Sequence, residues 1–477
     1  MTRRRFGHVA LIAGGALVAA VLVPSSAFAH GLTGKLDLPI PRWLFAWAAA
    51  VVLIVSFVAL ATMWPRPRLE ASPHTRVLWR FSRWWEPLCG LVGVALFAVV
   101  VYSGLAGEQY SATANLAPTF IFVLFWVGGP FLSAVCGDVF RAFNPWRAVA
   151  RFVAWVATRV AGEDGLPEPM AYPRWLGRWP AVLGILGFAW LELIYVNRDD
   201  PSTLAWLSLG YAAAMLVGMS LYGIEAWTSR ADAFSVEFNL FARLAPLRWL
   251  SDRVELRPPL VGIVGLEWAP GTIALLAAMI GSTSFDGFEQ GSTWLSGIEP
   301  HLQSVFAGVG LGPDAALELA STVGLLVAVL IVGSIYRLGI LGMGTIDPGD
   351  RSGALSTRFI HTLVPIALAY IVAHYWSLLV YQTQAAAYLA SDPLGNGANI
   401  FGTANWQVNY NVLSPDSVWY VQIAALLAGH VAGLMLAHDR ALVLFRRARD
   451  AVRSQYWMLA VMVGFTSLGL WLLSSIG

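Results

Sequence analysis

The sequence predicts an all-α integral membrane protein, a bundle of about ten transmembrane helices behind an N-terminal signal peptide. Three observations predict it. The 477-residue chain is 57% hydrophobic and only 12% charged, against about 25% charged residues in an ordinary soluble domain. Its apolar residues fall in continuous runs near the ~20 residues that a helix needs to cross a bilayer. Its arginines collect in alternate connections between those runs, as basic residues do in cytoplasmic loops. Helices are what lipid allows here. An open sheet would leave backbone groups unpaired, and a barrel would need alternating strands of about ten residues.

The chain begins with signal-peptide anatomy. MTRRRFGH is a basic region, VALIAGGALVAAVLV an apolar one, and PSSAFA ends in the small-x-small triplet Ala27-Phe28-Ala29. Residues 1–29 are expected to be removed, leaving His30 as the first residue of a polytopic domain over 30–477. Pro24, Ser25 and Ser26 stop the apolar run before it could span a membrane. Ten apolar runs follow, near 43–64, 86–106, 117–136, 180–196, 203–224, 260–283, 316–336, 359–381, 417–437 and 456–474. The 22 tryptophans suit interfacial belts, where an amphipathic ring sits at headgroup level.

Arginine placement orients the runs. None occurs between Arg83 and Arg141, between Arg257 and Arg337, or between Arg358 and Arg440. Each window holds two runs and their connection, so those connections are expected outside. The other connections are dense in arginine, among them Arg66 to Arg83, Arg141 to Arg159, Arg230 to Arg257 and Arg440 to Arg453. Arg198, beside Asp199 and Asp200, is the exception. The alternation predicts a multi-pass protein of the plasma membrane with the mature N-terminus and the C-terminus both external. The lipid bilayer is its first partner.

Three connections are long. Residues 137–179 interleave apolar and basic residues at helical spacing in FRAFNPWRAVARFVAWVATRV, which predicts an interfacial helix. External loops are expected near 284–315, holding His301, and near 382–416, rich in Asn and Gly. A loop of that length is often functional. Two connections echo each other: GDVFRAFNPW after the third run and ADAFSVEFNLF after the fifth both read Asp-x-Phe, then Phe-Asn. The echo fits duplicated halves, as in many transporters, or a shared mode of interfacial packing.

Several classes are excluded. No basic tract or recognition module points to nucleic acid. The two cysteines, Cys89 and Cys136, form no CxxC or CxxCH, which excludes a zinc ribbon, a thioredoxin-type site and c-type haem attachment. No Walker motif, GxSxG elbow, HExxH or EF-hand loop is present.

The mature start HGLTGKLDLPIPRWLFAWAAAVVLIVSFVALATMW, with GDVFRAFNPWR and SDPLGNGANIFGTANWQVNY, resembles a family of bacterial polytopic membrane proteins often labelled fenitrothion hydrolase. The resemblance covers nearly the whole mature chain. It implies a membrane-bound hydrolase of organophosphate triesters, acting alone or with another membrane subunit. The chain departs from soluble metal-dependent phosphotriesterases in having no His-x-His pair or similar dense cluster for two metals.

Ionisable residues inside a membrane are costly and mark function. Glu192, Glu267, His361, His374 and His430 fall within the apolar runs. Glu267 sits in GLEWAPGT, where Pro270 and Gly271 can interrupt the helix, as in broken helices that build binding sites. Counting 1.5 Å per residue places His374 about 10 Å and His430 about 20 Å below the outer surface. Glu267, His374 and His430 are therefore expected to line one internal cavity, with Glu192 nearer its outer end. His361 and His438 read as cytoplasmic-interface residues. His361 and His374 differ by about 140° around a helix axis, which argues against a pair of stacked haems.

A terminal His30 would offer a metal both its amine and its imidazole. With His301, it gives a copper or zinc reading. Three functions remain open: the membrane hydrolase that the resemblance implies, a proton- or metal-coupled transporter using the polar core, and a copper-handling or assembly protein.

Overall fold

A computed structural model describes residues 42–70, 75–161, 167–346, 352–445 and 447–475. The signal peptide over 1–29 and His30 lie outside the described residues. The chain is almost entirely helical. Its principal elements are α1 (Arg42–Met63), β1 (Arg76–Arg80), α2 (Trp85–Ala106), α3 (Leu116–Cys136), α4 (Pro145–Ala161), α5 (Trp179–Leu193), α6 (Pro201–Tyr222), α7 (Ala233–Ala242), β2 (Leu247–Trp249), β3 (Arg253–Leu256), α8 (Thr272–Glu289), α9 (Glu299–Gly308), α10 (Pro313–Gly344), α11 (Leu363–Gln382), α12 (Pro415–Leu444) and α13 (Ala448–Ser475). Among the described residues, six helical segments are long and apolar enough to cross a membrane: α2, α3, α6, α10, the stretch over 354–382 that ends in α11, and α12. The apolar part of α1, α5 and α7 are shorter. This is an all-α, multi-pass membrane architecture.

Local sequence explains where these helices start. Asp200 caps α6 by accepting from Thr203 N at 2.8 Å, with Pro201 at the first helical position. Ser414 caps α12 in the same way ahead of Pro415. A short polar side chain satisfies a free backbone N–H there, and proline lacks one to satisfy. The outer faces stay apolar: Leu88, Leu91, Val92, Leu96 and Val99 are exposed along α2. In water such a face would be a liability, whereas in lipid it is the solvated side. Between helices, small residues allow close approach. A Cβ on Gly429 of α12 would lie 2.2 Å from Ala369 Cβ and 2.7 Å from Pro365 O on α11.

The connections sort onto two faces. The arginine-bearing ones hold one another. β1 and β2 both pair antiparallel with β3, joining the segment around Arg76 to that around Arg253. Asp439, near the end of α12, accepts from Trp64 Nε1 at 2.9 Å and from the backbone N–H groups of Arg68, Leu69 and Glu70. Arg440 pairs with Glu70 at 2.7 Å. The arginine-free connections likewise hold one another. Glu108 N donates to Leu394 O at 2.8 Å, and Leu116 N to Pro393 O at 3.2 Å. A helix is present within 137–179, as expected, at α4.

Two expectations need correction. The sixth apolar run, placed at 260–283, is not one helix: a single turn over Val261–Val264 is followed by non-helical backbone, and α8 starts only at Thr272. The run over 284–315 is not an open loop. α8 continues to Glu289, and helical segments over Trp294–Ile298 and α9 fill most of the rest. Its residues stay helical because α8 and α9 pack along α10, so their apolar side chains have a surface to bury against. His361 and His438 are buried against other parts of the chain, at 2% and 1% exposure. His438 is held between Gln455 Oε1 at 3.2 Å and Trp64 O at 3.0 Å.

Candidate functional site

The site begins at the break before α8. Arg178, just ahead of α5, holds the break. Its backbone N–H donates to Pro270 O at 2.7 Å, and its Nη1 donates to Thr272 Oγ1 at 2.7 Å and Glu267 O at 3.2 Å. Gly271 turns the chain at φ 84, in the left-handed region where a side chain would be strained. The consequence corrects the expected polar core. Glu267 lies on the exposed side of the break, engaged through its backbone carbonyl. The freed backbone groups are taken up by Arg178 and do not line a cavity with Glu267.

The late start of α8 carries its polar end further along the chain, and Asp286 gains the central position. Its Oδ2 lies 2.8 Å from His374 Nε2 and accepts from Tyr375 OH at 2.7 Å, while Oδ1 accepts from Gln290 Nε2 at 2.9 Å. The His374 and Asp286 side chains are only 12% and 9% exposed. Glu192 on α5 is half-buried, within electrostatic reach of Asp286 and beside the Trp126 indole. Trp126 belongs to a π-helical stretch, Thr119–Val127, inside α3. Such widened turns are frequent at functional sites.

Of the residues expected in the core, His374 and Glu192 are therefore brought together, through an acid that sequence reasoning had set on the external side. His430 is fully buried on α12, but its Nδ1 is occupied by Leu426 O at 2.7 Å. No hydrogen bond or ion pair among the described residues joins it to Asp286. Of the two proposed metal ligands, His30 lies outside the described residues. His301 is exposed on α9, and among the described residues no group of three or more His, Cys, Asp or Glu is placed to hold a metal ion. Both cysteines are free thiols.

Comparisons with protein-family models, with curated protein sequences and with solved structures found no match. What the site can do must be read from its atoms. Asp286 and His374 can share one proton over 2.8 Å, with the Tyr375 hydroxyl as a second donor and Glu192 as a neighbouring carboxyl. This suits reversible proton transfer, because imidazole gains and loses a proton near neutral pH.

Sequence reasoning missed further buried polar residues. Glu237 on α7 is 1% exposed, and its Oε2 has no hydrogen-bond partner among the described residues. Asp232 is fully buried and accepts from Asn144 Nδ2, Trp146 Nε1, Tyr211 OH and Ser235 Oγ. The echo between the two connections was the available signal for Asp232. Asn144 of the first segment donates to Asp232 of the second at 3.1 Å, and Asn239 of the second donates to Asp138 of the first at 2.7 Å. The two segments face each other and exchange the same bond, which fits either duplicated halves or a shared mode of packing.

Proposed function

We propose that the protein is a proton-coupled membrane carrier in which the His374–Asp286 pair takes up and releases the proton. The observation that carries this reading is the pair itself: an imidazole and a carboxylate 2.8 Å apart, buried between α8 and α11. Taking two ionisable groups into such a site is costly, and a buried ion pair is a poor device for stability alone. Within a membrane, such residues ordinarily mark an ion or proton path. The reciprocal Asp–Asn contacts support it, since related halves are a common carrier design.

We infer the finer topology from the same alternation of arginine. The signal peptide is cleaved after Ala29, ten helices span the plasma membrane, and both mature termini lie outside. Reporter fusions after residues 110, 300 and 400 should read external, and those after 70, 155, 245 and 445 cytoplasmic. Inversion at two of these sites removes the ten-span arrangement. Sequencing of the mature protein should return His-Gly-Leu-Thr, and an intact Met1 removes the signal peptide.

The resemblance to proteins labelled fenitrothion hydrolase supports a second reading, hydrolysis of a phosphoric triester. In it His374, oriented by Asp286, would serve as general base toward water. Proteoliposomes separate the two. Proton uptake driven by a solute gradient, lost in Asp286→Asn and His374→Ala, supports the carrier. Release of a nitrophenol from fenitrothion by purified protein, lost in the same variants with no proton flux, supports the hydrolase. Proton flux unchanged in both variants sinks the carrier reading.

A further inference from the structure

A second cavity, of ≈720 Å³, opens among the arginine-bearing connections, away from the His374–Asp286 pair. Its size falls within the ~300–1,000 Å³ usual for a ligand site. Six arginines line it, Arg141, Arg147, Arg243, Arg248, Arg257 and Arg440, against three carboxylates, Glu70, Asp138 and Glu225. The carboxylates are largely committed. Glu225 lies 2.7 Å from Arg147 and 3.2 Å from Arg141, Glu70 lies 2.7 Å from Arg440, and Asp138 accepts from Asn239.

Arg243 and Arg257 have no ion pair among the described residues. Arg243 Nε donates to Asn239 Oδ1, and Arg257 donates only to the carbonyls of Ala245 and Ala242. No acid offsets Arg257: burial, then repulsion from Arg248 and Arg243, push its guanidinium down to about 10. It remains charged at neutral pH. The Arg257 guanidinium also lies over Gly262, where a Cβ would come within 2.1 Å of Cζ. Glycine is thus needed there to hold the cation at the cavity wall. Unpaired guanidinium groups converging on a polar cavity of this size form a fork suited to phosphate oxygens.

We propose that this cavity is a phosphate-binding site, with Arg243 and Arg257 as its central ligands. Phosphate could arrive on a soluble anion or on a lipid headgroup, and a neighbouring cavity favours the lipid. An apolar space of ≈530 Å³ is lined by Phe97, Phe125, Phe140, Trp146, Tyr211 and Phe234. The echoing segments divide their residues between the two spaces. Asp138, Ser235 and Asn239 line the polar one, while Phe140 and Phe234 line the apolar one. A ligand with a phosphate head and a hydrocarbon body would find both chemistries along the same two segments.

The test uses the full-length protein in detergent and in nanodiscs, with two probes: inorganic pyrophosphate by calorimetry, and phosphatidylglycerol by native mass spectrometry. Wild type should bind at least one. Arg257→Gln and Arg243→Gln should each weaken that binding about tenfold or more, the size of one lost charge-assisted contact. Gly262→Ala, which keeps every charge but displaces the guanidinium, should weaken it as well. Arg447→Gln, exposed on an arginine-bearing segment outside the cavity, should not. Arg248→Gln alters an exposed lining side chain and so tests the site even if a buried variant fails to fold; it should weaken binding less. Pyrophosphate bound without lipid supports the site with a soluble source, and lipid displaced by pyrophosphate supports it with a headgroup. No binding of either probe, or binding equal in wild type and Arg248→Gln, Arg257→Gln and Gly262→Ala, overturns the proposal.

Discussion

The His374–Asp286 pair and the arginine-lined cavity are both clusters of charge, yet they are built in opposite ways. The pair is dry and compensated: each charge has an opposite partner within 2.8 Å, and a tyrosine and a glutamine complete the acid's hydrogen bonds. The cavity is open and only partly compensated, with two arginines outside any ion pair beside four others engaged with carboxylates. A buried charge must be matched, because the surrounding medium cannot solvate it. A charge facing an aqueous cavity can stay unmatched, because water or a ligand supplies the match. The comparison teaches that a charge enclosed by the fold is matched within it, whereas one at a cavity wall need not be.

Removing half of the dry pair should have the largest effect. Asp286→Ala leaves His374 and Tyr375 without their acceptor and should cost about 3–5 kcal/mol of stability, as for other broken buried pairs. Thermal unfolding in detergent reads this, and a loss under about 1 kcal/mol would mean that the pair is already solvated. The next effect should come from the reciprocal contacts. Asn144→Ala and Asn239→Ala should each cost about 1–3 kcal/mol, since each leaves a buried carboxylate short of a donor. Asp232 keeps Trp146, Tyr211 and Ser235 as side-chain donors whereas Asp138 keeps only the Arg141 backbone N–H, so Asn239→Ala is expected to leave its carboxylate the less satisfied of the two, and no cost at either site would show that the contacts are idle.

Removing charge from the cavity should matter far less. Arg257→Gln should leave unfolding within about 0.5 kcal/mol of wild type in the absence of phosphate, since it removes repulsion as well as two bonds to carbonyls. A large destabilisation would make Arg257 a structural residue and erase the contrast. The smallest effect is expected from Arg141→Gln, whose ion pair with Glu225 is well exposed at 38% and 63%. Such pairs contribute about 0–1 kcal/mol, and raising the salt concentration should abolish even that difference.

Much of this architecture was legible in the chain. Hydropathy and arginine spacing marked an all-α membrane protein. The apolar runs near 203–224 and 417–437 marked helices that the structure keeps, with starts that it sets at Pro201 and Pro415. Pro270 and Gly271 marked a break that exists. Glu192 and His374 were recognised as buried ionisable groups, and the Asp-x-Phe…Phe-Asn echo pointed to segments that now meet. What failed were inferences from depth alone. Glu267 was assigned to a core because of its place in an apolar run, but a broken run need not stay inside. Asp286 was assigned to a loop because α8 was drawn a few residues too short.

The sequence by itself determined which segments are apolar and which connections carry arginine. These follow from composition and from interactions within a few residues, so no distant part of the chain can change them. Tertiary structure alone decided that Tyr375 and Asp286, 89 residues apart, share a hydrogen bond, that Glu267 stays exposed, and that Arg243 and Arg257 are left without a carboxylate. The physical reason is that an ionisable side chain on an apolar helix carries no local record of its partner. Which faces of two helices meet is fixed by close packing over their whole length, as where Gly429 admits Ala369, and charge pairing follows from that packing.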